Sequence, residues 1–148
     1  MNDSQSREQQ PMREPELTGL AAIRVTGPDA ETFLQGQLTQ DVSRLTESQP
    51  MLTGWASAKG RLLCVATLIA WQESIWLILP RALLTSTSNR LRMFVLRADV
   101  SIDTPQVMIS IAEDRPKNLP DDKSINYCYI KDNSIIFRCN SGPALSLT

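Results

Sequence analysis

Two short stretches carry the side chains that could hold a ligand. The first is Ala58-Lys59-Gly60-Arg61, a turn with two cations flanking a glycine. Such a turn can hold a carboxylate or phosphate, Arg61 offering a planar two-pronged donor. On its own it is weak evidence, and a solvated turn is the better reading. The second is Phe33-Leu34-Gln35-Gly36-Gln37-Leu38-Thr39-Gln40-Asp41-Val42. Gly36 sits inside a helical apolar pattern, where glycine costs about 1 kcal/mol against alanine. A glycine kept there marks close packing or the approach of a ligand.

Composition removes whole classes of chemistry. The 148 residues contain no histidine. Ser-His-Asp and Cys-His nucleophiles, HExxH zinc sites and all histidine-ligated metals are thereby excluded. Cys64, Cys128 and Cys139 are the three cysteines, widely spaced and without a CxxC pair. They are too few for a four-ligand structural zinc and read as reduced, packed thiols. Net charge is -1. No basic excess exists for phosphate neutralisation, so no direct nucleic-acid binding is expected. The longest apolar run, Leu62 to Trp71, is about half of what a bilayer-spanning helix needs, so no membrane partner is expected. The opening MNDSQSREQQ lacks an apolar core and an arginine-rich amphipathic pattern, and the expected compartment is the cytoplasm.

The elements that must position these stretches follow from periodicity. Residues 1–16 are polar and proline-bearing and read as a disordered leader. Leu20 to Val25 predicts a strand. Pro28, Asp29 and Glu31 predict a helix start, and Ala30, Phe33, Leu34 and Leu38 give it one apolar face over 28–40. Leu62 to Trp71 is apolar on both faces and predicts a strand central in a sheet. Gln72-Glu73-Ser74 turns it back into Ile75 to Leu79. Pro80 opens a second helix over 81–98, with Leu84, Leu91, Phe94 and Val95 as its apolar stripe. Strands follow at 99–102, 107–111, 125–130 and 134–139, the last two forming a hairpin around Lys131-Asp132-Asn133. Hairpins and helices alternate without regular crossovers. The expected class is α+β, with a mostly antiparallel sheet and two principal helices.

Taken together, FLQGQLTQDV, the small-residue run into Lys59-Gly60-Arg61, the apolar hairpin ending in Pro80, and Leu91-Arg92-Met93-Phe94-Val95-Leu96-Arg97-Ala98-Asp99-Val100 resemble the YgfZ/GcvT family of folate-binding proteins. The resemblance covers Leu17 to Ile111. It implies a three-domain clover around a channel that holds tetrahydrofolate, of which this chain is the amino-terminal part. Residues 17–104 would be the folate-binding domain and 105–148 the start of the second, cut short at an apolar segment after Gly142-Pro143. A chain so cut is expected to be marginally stable or to self-associate.

The resemblance also implies roles. Aminomethyltransferases of the glycine cleavage system place an aspartate in the strand after the glycine turn. That position falls at Cys64 or Val65, and neither is a carboxylate. The YgfZ branch shares this loss and is associated with iron–sulfur enzyme maintenance and tRNA modification. Its cysteine motif KGCYxGQE does not occur in this chain. Gln37 and Asp41 would face the pterin edge, and Lys59 and Arg61 the carboxylates of the glutamate tail; the alternative is that Asp41 caps a turn and the two cations are solvated. The implied activity is a folate-binding accessory protein with iron–sulfur clients. A folate-dependent aminomethyltransferase and a ligand-free interaction module stand beside it.

Overall fold

The computed structural model describes residues 19–111, 127–131, 134–138 and 145–148. Along the chain run β1 (Leu20–Thr26), α1 (Ala30–Gln35), β2 (Met51–Ala56), β3 (Leu62–Trp71), β4 (Ser74–Pro80) and α2 (Leu84–Phe94). They are followed by β5 (Ser101–Asp103), β6 (Ile109–Ile111), β7 (Tyr127–Lys131), β8 (Ser134–Arg138) and β9 (Leu145–Leu147). The first sheet has the order β2-β3-β4-β1-β5 and the second β6-β9-β8-β7. Every pairing in both is antiparallel. This is the α+β architecture expected from the alternation of hairpins and helices.

Strand alternation puts two apolar sets on opposite faces of the first sheet. Ile23, Val25, Cys64, Ala66, Leu68, Leu77 and Leu79 face α1 and α2, meeting Phe33, Leu34 and Leu91. Ala22, Ile69, Trp71, Trp76 and Ile78 face the second sheet, meeting Ile109, Ile135, Phe137 and Leu147. The molecule is therefore layered helix, sheet, sheet. Trp76 pairs with Trp71 at 5.5 Å between ring centroids, and its indole N–H donates to the Trp71 carbonyl at 3.0 Å. Both ring and polar tip are thus satisfied inside the core. Above Trp76 lies the Arg24 guanidinium, 5.6 Å from the ring centroid and paired to Asp103 through two bonds of 3.1 and 2.7 Å.

Several expectations are corrected. The first helix ends at Gln35, with Gly36 as its cap, instead of running to residue 40. The backbone of Leu38 leaves the helix to form an antiparallel bridge with Trp55. Glycine's poor helix propensity at position 36 makes that exit cheap. The second helix spans 84–94, preceded by a 3-10 turn at Arg81–Leu83. It stops because Val95, Ala98 and Val100 fold back onto the core, while the Arg92 guanidinium donates to the Ile102 carbonyl at 3.1 Å. Phe94, placed on the apolar stripe by its spacing, is consequently 47% exposed. As expected for an apolar pattern on both faces, β3 is an interior strand, paired with β2 and β4. β2 is a strand where the sequence shows only a small-residue run, because Gly54 and Ala56 hide the alternation of Thr53 and Trp55. Leu145–Leu147, read as the lead into a further element, is β9 and pairs on both sides.

Gly27 packs the β1–α1 turn onto the segment that follows α2. Its φ is +111°, and a Cβ there would lie 2.3 Å from the Asp99 carbonyl oxygen. Only glycine admits both conditions. The expected leader at 1–16, and Asp132, Asn133 and Cys139, lie outside the described residues.

Candidate ligand-binding site

The segment after α1 is turned back by side-chain and backbone bonds together. The Val42 N–H donates to the Gln35 side-chain carbonyl at 2.6 Å. Beside the Leu38–Trp55 bridge, Thr39 N–H donates to the Gly54 carbonyl at 2.9 Å, and Gly54 N–H donates to the Thr39 hydroxyl at 2.9 Å. The stretch from Phe33 to Val42 is thus joined to the outer edge of β2, the strand that leads into the cationic stretch. Gly54 gives the join room, with only side-chain atoms close to it. A Cβ there would lie 2.7 Å from Leu62 Cδ1 and 3.3 Å from the Thr39 hydroxyl oxygen.

Past β2 the chain makes a turn organised by Ser57. Its N–H donates to the Arg61 carbonyl at 2.8 Å, its carbonyl accepts from Gly60 N–H at 2.8 Å, and its hydroxyl accepts from Arg61 N–H at 3.2 Å. Gly60 takes the left-handed conformation, φ +78°. The turn therefore has a defined backbone and presents Lys59 and Arg61 exposed to solvent.

The other two residues sit on the far side of the join. Gln37 is half-buried just past Gly36. Asp41 is exposed and caps the 3-10 turn at Val42–Arg44, where Oδ1 accepts from Ser43 N–H at 3.2 Å and from the Ser43 hydroxyl at 2.5 Å. That capping is the ordinary work of an aspartate before a helical turn. What the fold brings together is the pair of segments: the one holding Gln37 and Asp41 is hydrogen-bonded to the strand that leads directly into Lys59 and Arg61.

Sequence reasoning missed the apolar floor beside the turn. Leu52, Leu62 and Val65 are 39%, 55% and 43% exposed. Val65 is paired with Gly54, and Leu62 lies over that glycine. Leu52 and Val65 alternate with residues of the helix-side core, so they belong to the opposite face of the sheet, beyond the part covered by the second sheet. The signal that could have found this floor is the glycine inside a strand, which marks close approach of another group.

Cys64 points the other way. It is 5% exposed and sits in the helix-side core. Burial pushes its thiol pKa up, and a hydrogen bond with Thr87 partly offsets this. Among the residues of β3 there is no carboxylate. Among the described residues no helix is long and apolar enough to cross a membrane.

No family model matches the chain. Two curated relatives called tRNA-modifying protein YgfZ align well. The one from Hamiltonella defensa is 32% identical over 105 residues, 70% of this chain and 31% of the relative. The one from Colwellia psychrerythraea is 33% identical over 97 residues, 66% of this chain and 30% of the relative. The chain thus spans about a third of the length of the relatives it matches. Among solved structures, the glycine cleavage system aminomethyltransferase T from Bartonella henselae superposes with a TM-score of 0.71 at 14% identity. It covers 87% of this chain and 39% of that protein, a likeness of fold. The superposition shows the fold, and on the sequence matches, 32% and 33% identical over about two thirds of its length, this chain belongs to the YgfZ/GcvT family.

Proposed function

We propose that this chain is the folate-binding part of a YgfZ-type accessory protein that supports tRNA modification and the assembly or repair of iron–sulfur clusters. The observation that carries the reading is the stitched edge of β2. It sets a well-formed cationic turn directly against an exposed apolar floor of Leu52, Leu62 and Val65. A reduced folate has matching parts: a flat heterocycle that stacks on apolar surface, an amide-like edge, and a tail of carboxylates. Lys59 and Arg61 are the partners for the tail, Gln37 and Asp41 for the edge. The names of the curated relatives support the link to tRNA modification.

Aminomethyl transfer is the weaker reading. At the position where that chemistry wants a carboxylate, Cys64 is buried in the helix-side core and Val65 is aliphatic.

The test is a titration of the protein with tetrahydrofolate under reducing conditions, followed by calorimetry. Saturable binding is expected. Replacing Lys59 and Arg61 together by alanine should weaken it roughly ten- to a hundred-fold, the loss of about 1.5–3 kcal/mol of charge-assisted contact. Unchanged affinity in the double variant would reduce the turn to a solvated loop. No binding by the parent protein would remove folate from the proposal. In cells, loss of the protein should lower iron–sulfur enzyme activities and the modified-nucleoside content of hydrolysed total tRNA.

A further inference from the structure

The end of α2 forms an apolar knuckle. Because the helix stops at Phe94 and Val95 turns inward, Met93, Phe94 and Leu96 point outward, 74%, 47% and 85% exposed. Single exposed apolar residues are ordinary, but three within four positions form a patch. Arg97, exposed, gives the knuckle a positive rim.

Next to it lies a cleft of opposite character. It has a volume of about 240 Å³ and is bounded by the β1–α1 turn and the β3–β4 turn. Its floor includes Trp71 and Ile75, its rim carries Glu31, Glu47 and Glu73, and no described residue lining it is a cation. Knuckle and cleft are neighbours because their bases are tied together. Asp99 N–H donates to Asp29 Oδ2 at 2.7 Å, Asp29 N–H donates to the Asp99 carbonyl at 3.3 Å, and Gly27 packs on the Asp99 backbone.

We propose that the chain pairs with a second copy of itself, the knuckle of each copy seated in the acidic cleft of the other. Charge complementarity selects this occupant. A knuckle against a knuckle sets Arg97 against Arg97, and a cleft against a cleft brings six carboxylates together, whereas knuckle in cleft pairs a cation with carboxylates over apolar contacts. Adjacency of the two surfaces lets one two-fold axis make both contacts at once, so the assembly closes as a dimer and does not grow into a filament. The proposal is independent of folate, whose proposed residues lie on β2, the segment before it and the turn after it.

The experiment is sedimentation velocity of the protein over a range of concentrations and salt. A dimer is expected, weakening as salt screens the rim charges. Leu96→Asp should leave a folded monomer whose thermal melt stays cooperative and no longer depends on protein concentration, since Leu96 is 85% exposed. Arg97→Glu, and separately Glu31→Lys with Glu73→Lys, should each raise the dimer Kd at least roughly tenfold. Mixing those two charge-reversed proteins should then give a heterodimer, because both reciprocal contacts are again attractive. A parent protein that stays monomeric at all concentrations would overturn the proposal. So would a dimer indifferent to Leu96→Asp, or charge-reversed variants that fail to pair when mixed.

Discussion

Two regions of one sheet face have opposite fates. Toward β1 and β4, the face away from the helices is sealed: Ile69 is 0% exposed, Trp76 2% and Ile78 4%, all packed under the second sheet with Phe137 at 1%. Toward β2 and the start of β3, on the same side of the sheet, Leu52 and Val65 lie open. Val65 and Ile69 are both aliphatic, sit on one strand and share a face, four residues apart. The difference between them is what lies above. The sealed region supplies stability, and the open one is left available for a ligand.

The sharpest way to break this comparison is to place the same charge at both positions. Ile69→Asp should abolish the cooperative thermal transition, because it buries an unpaired carboxylate. Val65→Asp should change stability by no more than about 0.5 kcal/mol, as for other solvent-facing substitutions. Equal losses by circular dichroism would mean that both regions are covered.

Phe137→Ala probes the seal from the other sheet. The loss expected in urea unfolding is about 3–5 kcal/mol, the range for emptying a large aromatic site. A loss below about 1 kcal/mol would show that the second sheet rests only lightly on the first.

Gly27→Ala tests the helix-side fastening. The substitution combines a positive φ with a Cβ only 2.3 Å from a carbonyl oxygen, so about 1–3 kcal/mol should be lost and the 96–99 segment should exchange its amide hydrogens faster. Unaltered exchange there would mean that Asp29 alone holds the segment.

The smallest effect concerns Cys64. Its folded pKa is raised, chiefly by burial, so the folded chain keeps this proton while the unfolded thiol ionises near pH ~8.5. The unfolded state then binds fewer protons, and stability falls as pH rises past that point. Comparing urea midpoints at neutral and alkaline pH, the parent should lose slightly more than Cys64→Ala does. Native Cys64 should also react slowly with thiol reagents. Rapid labelling would contradict the buried thiol.

Much of this was legible in the residues. Apolar runs at 62–71, interrupted only by Thr67, and at 75–79 with Gln72-Glu73-Ser74 between them announced the β3–β4 hairpin, because pairing across a short turn is a local event. The cations at 59 and 61 and the glycine between them announced a turn for the same reason. Less of the candidate site could be read. A cap at Asp41 is one of two readings the sequence allows, and it leaves open which holds, because the helical turn at Val42–Arg44 exists only once the chain has been folded back against β2.

By itself, then, the sequence determined the antiparallel α+β class, the main hairpin, the cationic turn and the family. Tertiary structure alone decided where α1 stops, that residues 51–56 are a strand, and which end of the sheet face is open. The physical reason is separation along the chain. Periodicity reports which side chains share a face within a few residues. The Leu38–Trp55 bridge and the packing of Ile69 against Phe137 are contacts between segments that local propensity cannot see.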